Sequence, residues 1–174
     1  MIAVAVALGL ILTTARPVSA RAQDQSIAPT SELLAQATEL PPASLYPLAA
    51  KLFGEDRRDD AVRWLYIAQI RSRFRLATAS GLPPDGEPAL YGALLESVGR
   101  PINEWAFGDI PAVTARMAEA LDWDATHANG VTPKGPNRAA LEQVPGGLAR
   151  FRESVIAGGD ELRKERAAHG LENR

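Results

Sequence analysis

Arg71 and Arg75 stand one helical turn apart and are the side chains of this sequence best suited to hold an anion. With Trp64 and Ala68 they recur at i, i+4, i+7 and i+11, which keeps all four within roughly 60° on one helix face. A guanidinium presents a fork of donors that matches a carboxylate or phosphate. Residues 61–80 hold Arg63, Arg71, Arg73 and Arg75 and contain no acid, so partners must come from elsewhere. Glu104 and Asp109, beside Trp105 and Phe107 in the aromatic-rich stretch 100–109, are the acids expected to meet them. Two arrangements fit. One is a structural ion-pair network tying 100–109 to the central helix. The other is an anion or carboxylate pocket lined by Trp64, Arg71, Arg75, Glu104 and Asp109.

Other chemistry has weaker footing. Glu104 and Asp109 can be read as an acid/base pair for glycan cleavage, which needs two carboxylates several ångströms apart in a cleft. Asp109 is equally explained as a helix cap. Asp122, Asp124 and His127 belong to no established metal-ligand spacing, and no metal or other cofactor is expected. His169 falls in the C-terminal tail. The sequence holds no G-x-S-x-G, no G-x-x-x-x-G-K-[ST], no G-x-G-x-x-G and no H-E-x-x-H. Without cysteine there is no disulfide, thiolate metal site or thiol nucleophile. The balance leans away from an enzyme.

The elements that must position these residues are helical. Ser31 is placed to cap a helix over 31–40, stopped by Pro41-Pro42. Ser44 is placed to cap the next, where Leu45, Leu48 and Leu52 form a one-sided apolar stripe. The helix at about 59–79 is apolar in almost every direction, with Val62, Trp64, Leu65, Tyr66, Ile67, Ile70, Phe74 and Leu76, and so must be surrounded. Pro88 opens a helix to about Val98 with Gly99 just past its end, and 100–108 has no clean period and reads as a loop. Asp109 caps a helix that carries Ile110, Val113, Met117 and Leu121 inward. Residues 124–136 form a long loop. Asn137 caps a short helix to about Gln143, interrupted by Pro145-Gly146-Gly147. A further helix turns Leu148, Phe151, Val155 and Ile156 to one face, and Asp160 caps a charged last helix to about Ala168. No segment alternates with period two. The fold expected is all-α, an irregular bundle of six to eight helices around the buried helix at 59–79.

The N-terminal end points to export. Residues 2–12 are an apolar run, followed by a more polar segment and the small-residue triplet Val18-Ser19-Ala20, the order of a secretory signal cleaved after Ala20. The run is about half the roughly 20 residues needed to span a bilayer, so no transmembrane segment remains after cleavage. A flexible lead over 21–30 and a single domain over 31–174 follow. Arg16 is the only charged residue removed, so the net charge of −2 becomes −3. That balance excludes bulk nucleic-acid binding, which wants a basic surface. The place expected is the periplasm or beyond.

Leu45-x-x-Leu48-Ala49-x-x-Leu52 followed by Ala61-x-x-Trp64-Leu65-x-x-Ala68 resembles one tetratricopeptide or Sel1-like helical hairpin over residues 43–77. Small residues at 49, 61 and 68 stand where such hairpins bring their helices together. The family's terminal proline position falls on Arg73, and no second copy follows, whereas stable arrays need about three. The resemblance implies a helix pair with a protein-binding face. The sequence therefore points to a non-enzymatic protein-binding module of the cell envelope, an inhibitor, immunity-type or assembly factor, with another envelope protein as partner. Trp105, Phe107 and Trp123 are its candidate partner surface. A small-ligand or anion-binding protein is the alternative, and a hydrolase of envelope polymers stands behind both.

Overall fold

A computed structural model describes residues 28–174. The expected signal segment, residues 1–20, and residues 21–27 of the lead lie outside the described residues. Among the described residues every regular element is helical. The order is α1 (Thr30–Ala35), a 3₁₀ turn (Pro42–Ser44), α2 (Leu45–Gly54), α3 (Arg58–Thr78), α4 (Glu87–Leu94), a π turn (Leu95–Gly99), α5 (Arg100–Ala106), α6 (Ile110–Thr126), α7 (Arg138–Ala157) and α8 (Gly159–Ala168).

The bundle is built around α3, which packs against α2, α6, α7, α5 and α4. Its length is buried from Ala61 to Phe74 with few breaks, as its all-round apolar sequence requires. The α2–α3 contact is the most extensive in the molecule. Leu45, Leu48, Ala49 and Leu52 of α2, and Ala61, Leu65 and Ala68 of α3, are all fully buried. Ile110, Val113, Met117 and Ala120 close the core from α6, and Leu148 and Val155 from α7.

Local signals were overridden where packing demanded it. Residues 100–108 are not a loop: the chain runs helically from α4 through the π turn into α5. Pro101 lacks an N–H and crowds the carbonyl four residues back, and the wider turn just ahead of it lets the helix go on. Gly99, at φ −66°, is no helix stop. It is buried, and a Cβ there would already touch Leu95 and Leu65. Likewise α7 continues through Pro145 instead of breaking. Its inward face is Leu148 and Val155, whereas Phe151 and Ile156 are turned out and about half exposed. Of the caps expected from sequence, only Asp109 acts through its side chain, accepting from the Ala112 amide at 2.9 Å. Ser44 is itself helical in its backbone and so cannot reach forward as a cap. Pro29, not Ser31, precedes α1. Residues 28–30 are held, not loose: Lys51 Nζ donates to Ala28 O and Thr30 Oγ1 to Glu55, both at 2.5 Å.

Ala68 is fully buried on α3. Ala68→Leu is expected to cost about 1–3 kcal/mol by overpacking, while Ala77→Leu, on an exposed position of the same helix, should stay within about 0.5 kcal/mol. Urea unfolding of both variants measures this. Pro145→Ala restores a helix amide and should raise the melting temperature by several degrees, at about 2–4 °C per kcal/mol gained for a domain of this size.

Candidate functional site

Arg71 is entirely buried, and neither Glu104 nor Asp109 is its partner. Its Nε donates to Asp124 Oδ1 at 3.1 Å, its first terminal nitrogen to the carbonyls of Ala37 and Thr38 at 3.2 and 3.3 Å, and its second to Ala128 O at 2.7 Å. Trp123 lies under the guanidinium at 4.7 Å. Burial pulls the Arg71 pKa below its ordinary value, and Asp124 works against that shift. Lys134 completes the cluster, its Nζ standing 3.1 Å from Asp124 Oδ2 and also bonded to the Asp124 and His127 carbonyls. Every arm of this arginine is used. It is a structural pin joining α3, the end of α6, the segment after α1 and the loop 127–134, with four of its five N–H donors used and the side chain sealed from any ligand by burial.

Arg75, one turn on, is different. It lies near the surface and makes a bidentate pair with Glu87 of α4, at 2.9 and 3.0 Å. Hydrogen bonding to Arg75 holds the Glu87 carboxyl below the usual carboxylate range. Arg73 is exposed, and its Nε donates to the Tyr91 hydroxyl at 2.9 Å.

Between these groups runs a groove of about 450 Å³. Pro41, Pro42 and Ala43 form one wall, Ser72, Arg75 and Leu76 of α3 the floor, Glu87, Leu90, Tyr91 and Leu94 of α4 the far wall, and Val131 an edge. It is apolar except for Ser72, the Tyr91 hydroxyl and the Arg75–Glu87 pair. Leu90 and Val131 are 48% and 39% exposed there, more than lone core residues would be.

The remaining sequence candidates are scattered. Trp64 is buried and meets Trp123 edge-on at 4.9 Å. Trp123 also stacks on His127 at 4.3 Å. Trp105 sits between Phe53, Arg58 and Arg174, and Phe107 leans on Phe151 at 6.4 Å. All three expected surface aromatics are therefore half-buried supports packed on the core, not one patch. Glu104 is exposed on α5, and the Asp109 carboxylate is committed to its cap. Neither lines the groove. Burial pushes the Tyr46 and Tyr66 hydroxyls well above the usual phenol range, so neither titrates near neutral pH. Among the described residues no cluster of His, Asp or Glu is arranged to hold a metal, and no helix is long and apolar enough to cross a membrane.

No family model, curated protein or solved structure matches this chain. The groove is thus the feature on which a functional reading rests. Sequence reasoning put Arg75 in a pocket against residues 100–109 and not in this groove, and it missed Leu90, Leu94 and Val131, whose signal was only their apolar character beside a polar loop.

Asp124→Ala is expected to lose about 3–5 kcal/mol, because it leaves Arg71 buried without its counter-charge. The Arg71→Met/Asp124→Leu double variant should recover only part of that loss. It orphans the Ala37 and Ala128 carbonyls, at about 1–3 kcal/mol for each buried group left unsatisfied, while Thr38 O keeps the Gly130 amide. Denaturant unfolding of both variants decides it. Glu87 has a depressed folded pKa, so its small stabilising contribution is present above the unfolded glutamate pKa of about 4.3. That contribution is lost as pH falls through the lower folded value. NMR titration of the Glu87 carboxyl should give a midpoint below about 4.3, returning toward that value in Arg75→Gln.

Proposed function

We propose that this protein is a non-enzymatic binding module that acts in the cell envelope after export and holds an apolar segment of another protein in the α3–α4 groove. The groove carries this reading: a concave, mostly apolar surface with Leu90 and Val131 left open to water. A concave apolar surface bordered by polar groups can receive the apolar side chains of a partner. Anchor side chains entering such a depression supply most of the energy of a small interface. The tetratricopeptide-like character of residues 43–77 supports the reading, since hairpins of that type serve protein recognition. The signal-like N-terminal sequence supports the place.

A small-molecule site is the second reading, favoured by one observation. The groove volume of about 450 Å³ lies within the range of ligand sites, roughly 300–1,000 Å³. A hydrolase gains no support from Glu104 and Asp109 as they stand.

A photo-crosslinking residue at position 90, introduced in cells and activated in the intact envelope, should join this chain to a single protein species. The same residue at position 164 on α8 should not. Ala43→Trp, which fills the groove from its wall, should abolish the crosslink while leaving the fold intact by circular dichroism. Equal crosslinking at both positions, or a crosslink untouched by Ala43→Trp, contradicts the proposal.

A further inference from the structure

The groove is asymmetric in charge. Its α3 floor belongs to the stretch 61–80, which contains arginines and no acid. Glu87, across on α4, is the one acid among the lining residues. It occupies Arg75 through both carboxylate oxygens, at 2.9 and 3.0 Å, as a recognition carboxylate would. The pair is open to water, with side-chain exposures of 35% and 45%. Pairs so exposed contribute little net stability, so a second carboxylate can replace Glu87 at small cost. Arg73, two residues before, makes no ion pair among the described residues and stands outside the lining at the groove's rim, its Nε bonded to the hydroxyl of Tyr91 in the same wall. The interior beside these arginines is Leu76, Leu90, Leu94 and Val131.

Resting on the protein-docking reading above, we infer that the segment docked in the groove is acidic as well as apolar, with Leu- or Phe-like side chains in the cleft and an Asp or Glu beside them that displaces Glu87 from Arg75. Glu87 then acts as an internal placeholder, keeping Arg75 aligned while the groove is empty. Arg73 supplies a second site of positive potential for the incoming acid. A basic segment would meet Arg73 and Arg75 with like charge, and a purely apolar one would leave the placeholder undisturbed.

A displayed library of random peptides, panned against the purified full chain with counter-selection on Ala43→Trp, tests this. Fluorescence anisotropy then gives the affinity of the enriched peptides. The expected peptides pair one or two large apolar residues with an Asp or Glu within about a helical turn. Glu87→Gln should bind them several-fold more tightly, because the internal competitor is gone. Arg75→Gln should weaken them about tenfold, and Arg73→Gln less, with both effects shrinking in high salt. These residues are on the surface, and unchanged melting curves confirm folded variants. Groove-dependent peptides without acids, or no effect of Glu87→Gln, overturn the inference and leave the docking reading standing. Failure to enrich any groove-dependent peptide overturns the docking reading itself. Decanoate binding that depends on Arg75, without any peptide binding, reassigns the groove to small anionic amphiphiles and overturns both.

Discussion

A guanidinium cannot be sealed inside a helical bundle unless nearly all of its donors are met, and at Arg71 that requirement organises four separate pieces of chain. Asp124 brings in the last turn of α6, Ala37 and Thr38 the segment after α1, and Ala128 the loop that follows α6. The Trp123 ring covers the charge, and Lys134 anchors the loop's far side to the same aspartate. The segment after α1 and the end of α6 also pack Ala37, Leu40 and Trp123 on the core, whereas residues 127–134 give it no side chain. The loop adds a backbone bond of its own, with the Gly130 amide donating to Thr38 O at 3.0 Å. A side chain at Gly130 would meet only the Glu39 carboxylate, the free end of an exposed side chain that can swing aside. Replacing the cluster by apolar residues would remove the geometry along with the charge.

The same constraint shapes the groove. Two of its edges are the Pro41–Pro42 turn and Val131, each only a few residues from a carbonyl held by Arg71. Its floor is the next turn of the helix that carries Arg71. The chain thus divides its arginines by depth. Arg71 is used for structure, while Arg75, further along α3, lines the groove with one exchangeable carboxylate on it, and Arg73 lies outside the lining, bonded to the Tyr91 hydroxyl of the far wall. The far wall, α4, packs on α3 more lightly than α2 or α6 does and buries none of its residues fully. A wall of that kind can adjust to an occupant while the pinned edges stay fixed.

What could be read from the sequence follows from range. The all-α class, the central position of residues 59–79 and the Asp109 cap rest on periodicity or on a contact three residues long, and all are present in the structure. Trp64, Arg71 and Arg75 were rightly seen to share a side of α3, and Arg71 to need a partner. The identity of that partner was not legible. Asp124 lies 53 positions away, at the start of a stretch that reads as loop, and Asp sits there as easily in solvent. Glu104 and Asp109 fitted by type alone. The helix through 95–106 and the unbroken α7 were hidden because Gly99, Pro101 and Pro145 are local stop signals that tertiary packing overrode. Trp105, Phe107 and Trp123 could not be sorted into surface or support by composition, since an aromatic serves either purpose.

Backbone amide hydrogen exchange tests the Arg71 pin most directly. In the wild-type protein the Gly130 amide and the end of α6 should be protected well above open-chain rates, while residues 80–86 exchange freely. Arg71→Lys keeps the charge but loses the planar fork that reaches three carbonyls and a carboxylate at once. It should strip protection from 128–134 and the end of α6 and leave the α2–α3 core protected. Open-chain exchange at Gly130 in the wild type, or protection of 128–134 unchanged in Arg71→Lys, would contradict the account.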